Sequence, residues 1–274
     1  MNIGCHVSIA GGITEAPKRA FDLDCECMQI FTRSPQGGKA PELTNEICEQ
    51  FKIQNSKFKI KEVYIHTPYY INFASTNNRI RYVSVSVVRD ELERGSLIGA
   101  KYVMTHLGTA KDLGKAAIPK TIEMLIKTLE GYKGKTKLLL ENSAGAGNII
   151  GDSLKELGDI IKKVKSDAIA GICLDTQHFF ASGYDWRNFE KTVKIIDKEI
   201  GLDKIKLFHI NDSQSDLNSK KDRHAHIGQG QIGLDNFRKI VTLAQKNKVD
   251  LILETEHDLA KKDINILKSF RSEQ

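Results

Sequence analysis

Six residues able to bind metal recur at nearly even intervals: His66, His106, Glu141, Asp175, His209 and Glu254. The successive gaps are 40, 35, 34, 34 and 45 residues. Each closes a short apolar or β-branched run, as in Val63-Tyr64-Ile65-His66, Leu138-Leu139-Leu140-Glu141 and Leu251-Ile252-Leu253-Glu254. One such residue alone reads as a hydrogen-bonding strand end. Six in succession need another explanation, because carboxylates buried together repel one another unless cations compensate. Three more residues complete the set. His178 follows Asp175 by three positions, and Asp222 and His224 alternate, so in an extended segment both point the same way. Imidazole and carboxylate without cysteine suit zinc, manganese or iron, and a histidine-rich set favours zinc. Nine ligands are too many for one ion, and three ions are expected. Such a cluster suits hydrolysis, since a divalent metal lowers the pKa of bound water to about 7.

The even interval matches a strand followed by a helix. Strands are predicted at 3–8, 28–32, 63–66, 102–106, 137–141, 172–175, 205–210 and 251–254. Between them run helical stripes: Ile118, Ile122, Leu125, Ile126 and Leu129; Leu154, Leu157, Ile160, Ile161 and Val164; Phe189, Val193, Ile196 and Ile200. Gly99, Gly134 and Gly201 are expected to end helices. Strands this apolar are buried on both faces, as in a parallel sheet covered by helices. Eight such units predict an α/β chain folded as a single (β/α)₈ TIM barrel over residues 1–274, with the metal site at the C-terminal face of the strands. An open doubly wound sheet would carry a phosphate loop after its first strand, and Ala10-Gly11-Gly12-Ile13 does not fit one.

Composition agrees. The chain has 274 residues, 40% hydrophobic and 28% charged, which describes a globular protein. No apolar run reaches the ~18 residues of a membrane helix, and Met1-Asn2-Ile3-Gly4-Cys5-His6 lacks a signal-peptide pattern. Five cysteines without a CxxC pair argue against a disulfide framework and for a reducing, intracellular and cytoplasmic setting. A net charge of +6 favours a polyanionic partner. His6 ends the first strand and is expected to support the ligands or the fold; His226 and His257 are read as peripheral. The segment Gly228-Gln229-Gly230-Gln231-Ile232-Gly233 precedes a helix, where backbone amides can hold phosphate.

Taken together, the motifs resemble the endonuclease IV family of abasic-site nucleases. The resemblance begins at Gly4-Cys5-His6-Val7-Ser8 and runs through His66-Thr67-Pro68-Tyr69, Leu140-Glu141-Asn142 and Leu174-Asp175-Thr176-Gln177-His178. It continues through Phe208-His209-Ile210-Asn211-Asp212, Asp222-Arg223-His224 and Leu253-Glu254-Thr255. It implies three zinc ions: one on His66, His106 and Glu141; one sharing Glu141 and adding Asp175, His209 and Glu254; one on His178, Asp222 and His224. Manganese or iron is the alternative at one position. It implies cleavage 5′ to abasic sites in double-stranded DNA, leaving a 3′-hydroxyl and a 5′-deoxyribose phosphate, with trimming of blocked 3′ ends and a monomeric enzyme. Glu141 and Glu254 are the carboxylates expected to assist the nucleophile. Tyr69 matches the family's intercalating tyrosine. The loop Thr32-Arg33-Ser34-Pro35-Gln36-Gly37-Gly38-Lys39 departs from the family, whose loop carries an arginine and a tryptophan where this chain has Gln36 and Gly38. Arg33, Gln36 and Lys39 are expected to contact DNA there. His106-Leu107-Gly108 stands where the family has HPG. A metal-dependent sugar isomerase or epimerase on the same barrel is the alternative, and a non-catalytic DNA-binding barrel a third reading.

Overall fold

The computed structural model describes residues 1–110 and 113–273. Its strands in chain order are β1 (Ile3–His6), β2 (Cys27–Ile30), β3 (Glu62–His66), β4 (Tyr102–Thr105), β5 (Lys137–Glu141), β6 (Ile169–Asp175), β7 (Ile205–His209), β8 (Asp212–Ser213), β9 (His224–Ala225) and β10 (Asp250–Leu253). Eight of them close into a barrel in the order β1-β10-β7-β6-β5-β4-β3-β2, and every pair is parallel. β8 and β9 form a separate antiparallel ribbon above it. All eight predicted barrel strands are present. The ribbon orders the loop after β7 by folding its two ends together.

Helices α1 (Ala16–Asp22), α2 (Asn45–Lys57), α3 (Asn78–Ile98), α4 (Ala117–Leu129), α5 (Leu154–Val164), α6 (Thr176–Ser182), α7 (Phe189–Glu199), α8 (Leu234–Asn247) and α9 (Ala260–Ser272) alternate with the strands. α5 shows why. Ser153 caps its first turn by accepting from the Glu156 amide, and Leu154, Leu157, Ile160 and Val164 are buried against the barrel. Each such side chain contributes about 1.5–3 kcal/mol by leaving water. On α4 the predicted stripe is rotated: Met124 joins Leu125 and Leu129 inside, and Ile126 is exposed. Gly99 ends α3 in the left-handed conformation as expected, whereas α4 stops at Leu129, before Gly134. Among the described residues, no helix is long and apolar enough to cross a membrane.

The barrel interior is layered. Cys27, Tyr64, Met104, Leu139, Cys173, Leu207 and Ile252, one from each strand except β1, pack as one buried cluster. On β1 the matching place belongs to Gly4, where an added Cβ would lie 1.7 Å from the Cys27 carbonyl oxygen. Side chains alternate along a strand, so the next inward position is two residues on. Those positions are His6, Gln29, His66, His106, Glu141, Asp175, His209 and Glu254. The strand period thus raises the predicted ligands into one layer at the C-terminal mouth.

Candidate metal centre

Glu141 sits at the middle of this layer and is fully buried. Its Oε2 lies 3.0 Å from His66 Nε2 and 3.5 Å from His106 Nε2. Its Oε1 lies 2.9 Å from His209 Nδ1, which is also 3.1 Å from Glu254 Oε2. The ligand atoms form three overlapping groups, each within 4.8 Å: His66, His106 and Glu141; Glu141, Asp175, His209 and Glu254; Asp175, His178 and His224. Asp222 closes the last group from its exposed side, with Oδ2 3.3 Å from His178 Nε2 and Oδ1 3.4 Å from His224 Nε2. All nine predicted ligands are therefore brought together, and Asp175 reaches two of the groups.

Local structure aims these side chains. Asp175 is the N-cap of α6; its Oδ1 accepts from the His178 amide at 2.6 Å, which fixes His178 on the first helical turn. The His178 ring donates from Nδ1 to the Asn142 carbonyl at 3.0 Å, and the His66 ring donates from Nδ1 to the Thr67 carbonyl at 2.6 Å. Both rings turn Nε2 inward, the arrangement expected where backbone groups orient metal-binding imidazoles. The ribbon β8–β9 pairs Ser213 with His224 and so lowers His224 over Asp175.

Charge in this layer requires cations. Burial opposes ionisation of Glu141, yet the His106 and His209 imidazoles hold its carboxyl well below the usual range. Burial likewise opposes charge on His178, but the Asp175 and Asp222 carboxylates raise it to about 10. Burial lowers His106 to about 4. His224 Nε2 is buried without a hydrogen-bond partner, 3.7 Å from Asp175 Oδ2. A buried ring nitrogen without a hydrogen bond, facing two carboxylates, is a donor arrangement that fits a divalent cation. The donor set, histidine nitrogen and carboxylate oxygen, fits zinc.

Comparison with known proteins agrees with this geometry. Residues 17–270 match the family model described as xylose isomerase-like TIM barrel. A probable endonuclease 4 of Nitrosopumilus maritimus is 40% identical over 267 residues, covering 94% of each chain. Another from Cenarchaeum symbiosum is 36% identical over 280 residues and covers 99% of each. The crystal structure of endonuclease IV from Thermus thermophilus superposes with a TM-score of 0.89 at 28% identity, covering 100% of both chains. The chain belongs to the endonuclease IV family. A D-tagatose 3-epimerase-like protein, with a TM-score of 0.75 at 20% identity over 99% of this chain and 97% of its own, shares the fold.

Around the endonuclease IV centre opens a cavity of about 370 Å³ lined by His66, His106, His178, His224, Glu254 and Tyr69, among others. A second hollow of about 660 Å³ adjoins it past Asp222 and Glu254 and is walled by Arg223, Gln214 and Gln229. Tyr69 stands on the rim, 70% exposed, its ring edge-on to Phe31. The Tyr69 amide donates to the Pro35 carbonyl at 3.3 Å, joining the tyrosine to the loop after β2. Gln36 and Lys39 in that loop are exposed.

Arg33 departs from expectation. Its guanidinium is buried and bonds Glu91 and Asp90 on α3, so it holds the loop to the barrel and does not face outward. Arg94 joins the same network by donating to Thr32 Oγ1 at 2.6 Å and to the Thr32 carbonyl at 2.9 Å. The expected phosphate site at 228–233 is also taken. Amides of Gly228, Gly230 and Ile232 point at the Asp212 carboxylate, at 3.1, 3.0 and 3.0 Å. His226 is held between Asp258 and Asp263. His257, read as peripheral, donates to the His6 carbonyl at 2.7 Å and reaches the cavity mouth. In the altered His106-Leu107-Gly108 turn, Leu107 is buried core, and a Cβ on Gly108 would meet the Asn72 backbone at 2.5 Å.

Sequence reasoning missed three amide side chains. Asn142 Oδ1 accepts from the Asp175 amide at 2.7 Å. Asn211 donates to Asp175 Oδ2 at 2.7 Å and accepts from the Glu254 amide at 2.9 Å. Gln29 touches His209, Glu254 and His6. The two-residue alternation along β2 is the signal that marks Gln29; Asn142 and Asn211 follow ligand strands and carry no such mark.

Proposed function

We propose that this chain is a zinc-dependent DNA-repair endonuclease that hydrolyses the phosphodiester bond 5′ to abasic sites, leaving a 3′-hydroxyl and a 5′-deoxyribose phosphate. It acts as a monomer on double-stranded DNA and also trims blocked 3′ ends. The observation that carries the reading is the three-group cluster, joined through Glu141 and Asp175, beneath a cavity with an exposed tyrosine on its rim. His66, His106 and Glu141 would hold one zinc; Glu141, Asp175, His209 and Glu254 a second; His178, Asp222 and His224 a third. Bound zinc supplies an acidified water and positive charge for the phosphate and the leaving oxygen.

The chain's own groups do the rest. Glu254 lines both hollows while Glu141 is covered, which supports Glu254 as the carboxylate that borders the attacking water and Glu141 as the anchor of the cluster. An abasic nucleotide leaves the duplex at little cost because it has no base to unstack. Tyr69 fills the gap so opened, and Lys39 and Arg223, both exposed, meet backbone phosphates. Lacking a bulky side chain at Gln36 and Gly38, the loop after β2 wedges the duplex less deeply. The isomerase reading needs one or two ions and leaves the group formed by His178, Asp222 and His224 without a purpose.

One experiment separates the readings. Zinc-loaded protein is given an abasic duplex, an intact duplex, a 3′-blocked nick and a ketose panel. Nicking of the abasic duplex with a 3′-hydroxyl product is expected. Ketose turnover without nicking, or DNA binding without cleavage, would overturn the proposal.

A further inference from the structure

Gln29 is fully buried at the metal layer on β2, a strand that supplies no proposed ligand. Its Oε1 accepts from His209 Nε2 at 2.7 Å. Its Nε2 donates to Glu254 Oε1 at 2.6 Å and to His6 Nδ1 at 3.1 Å. One amide therefore links side chains from three other strand positions, two of them ligands of the same proposed ion. The amide has one orientation. Reversed, its NH₂ would face the His209 N–H, and its oxygen would face the Glu254 carboxylate.

From this geometry we infer that Gln29 is the positioning residue of the second zinc site, fixing which atom of His209 and which oxygen of Glu254 are offered to metal. By accepting from Nε2, it keeps the His209 proton there and leaves the Nδ1 lone pair toward Glu141 and Glu254, at 2.9 and 3.1 Å. By engaging Glu254 Oε1, it turns Oε2 toward His209 Nδ1, on the side of the other ligands. His6 completes the clamp, since its Nδ1 takes the second amide hydrogen and its ring packs on Phe31 at 4.4 Å. His6 is thus tied to the ligands through Gln29 and touches none of the nine directly by hydrogen bond among the described contacts.

The inference rests on the proposed three-zinc reading, and the test separates the two. Gln29→Leu removes all three hydrogen bonds at similar volume; Gln29→Glu keeps the acceptor for His209 and loses the amide donor to Glu254 and His6. Stepwise zinc affinity is measured by competition with a chromophoric chelator, and the ring nitrogen of His209 that keeps its hydrogen by nitrogen-resolved NMR of the zinc-loaded protein. In Gln29→Leu, one of the three affinities should fall about 10–100-fold with the other two little changed, the usual effect of losing a group that orients a ligand. The Nε2–H signal of His209 should give way to a mixture of tautomers. Gln29→Glu should restore the tautomer and not the affinity. A merely structural role would shift the metal-free melting temperature and leave the tautomer alone. Unchanged affinities and tautomer in Gln29→Leu overturn the inference while wild-type zinc binding stands. A wild-type protein that takes up no zinc overturns the underlying reading instead. If the leucine variant fails to fold, Gln29→Met reads the same two quantities.

Discussion

Glu141→Gln isolates what the central carboxylate does. Glutamine keeps the shape and removes the charge. Glu141 belongs to two of the three ligand groups and touches His66 at 3.0 Å and His209 at 2.9 Å. Both zinc ions that depend on it should be lost, and the third, on His178, Asp222 and His224, should remain. An ion present at about 100 times its dissociation constant stabilises the folded state by about 2.7 kcal/mol. Two lost ions therefore remove about 5.4 kcal/mol of zinc-dependent stability. At about 2 °C per kcal/mol for a chain of this size, the zinc-induced rise in melting temperature should shrink by about 11 °C. Calorimetry of the metal-free protein with and without zinc reads that change, and elemental analysis should find the content falling from three ions to one. Abasic-site cleavage should disappear with it. Asp222→Ala is the control, expected to lose a single ion. A Glu141→Gln protein that holds three zinc ions, or melts with the full zinc-dependent rise, would refute the assignment of a shared carboxylate.

Tyr69→Ala should lower the preference for abasic over intact duplex while zinc content stays constant, because the ring is exposed on the rim and bonds no ligand; nicking rates on the two duplexes measure this, and an unchanged ratio would count against the tyrosine as a lesion probe. Arg33→Ala should destabilise the fold by about 3–5 kcal/mol, leaving the Glu91 carboxylate buried with fewer partners, yet leave the salt dependence of DNA binding alone. Lys39→Ala should do the reverse, cutting the salt slope by about one with no change in melting. Equal effects on the slope would restore Arg33 to the DNA surface. Arg271→Ala tests a pH-dependent tie between α9 and the start of the barrel, where the guanidinium donates to both Glu26 oxygens at 2.6 and 2.9 Å. Burial raises the Glu26 pKa, but the arginine outweighs it and holds the carboxyl below 4.5. A lowered folded pKa gives stability present above the unfolded value of about 4.3 and lost as pH falls through the folded one. The variant should thus be about 1 kcal/mol less stable at pH 7, with the gap closing below about pH 4. Urea melts across that range would contradict the tie if the gap persisted at pH 3.

Six of the nine ligands are legible because each ends an apolar strand with a charged or titratable residue. Leu140-Glu141 and Leu253-Glu254 are conspicuous for that reason alone, and even spacing then implies a barrel. Arg33 misleads by the same logic: a basic residue in a loop near the site looks like a phosphate contact. Its partners, Glu91 and Asp90, sit more than one element away on α3, and nothing local to the loop announces them. The amides at 228–233 mislead likewise, since their acceptor, Asp212, lies on the far side of a long loop. Long-range partners decide whether a polar group is free, and a linear reading carries no record of them.

Gln29 is the instructive case, because it lies inside the pattern and still escapes a reading of the chain. Every barrel strand places one residue in the upper layer, two positions beyond the inner core. Six strands place a ligand there, while β1 and β2 place His6 and Gln29. Those two strands are neighbours in the barrel, between β10 and β3. The ligands of the proposed second ion lie on β5, β6, β7 and just past β10, so one edge of that ion's site borders the sector without ligands. A carboxylate or imidazole at Gln29 would add another ligand or another charge to an already crowded layer. An amide adds neither, and its separate donor and acceptor satisfy His209 and Glu254 together. The neutral residue is what the site requires at the seam where the ring of ligands stops, and a search confined to metal-binding residue types is blind to it.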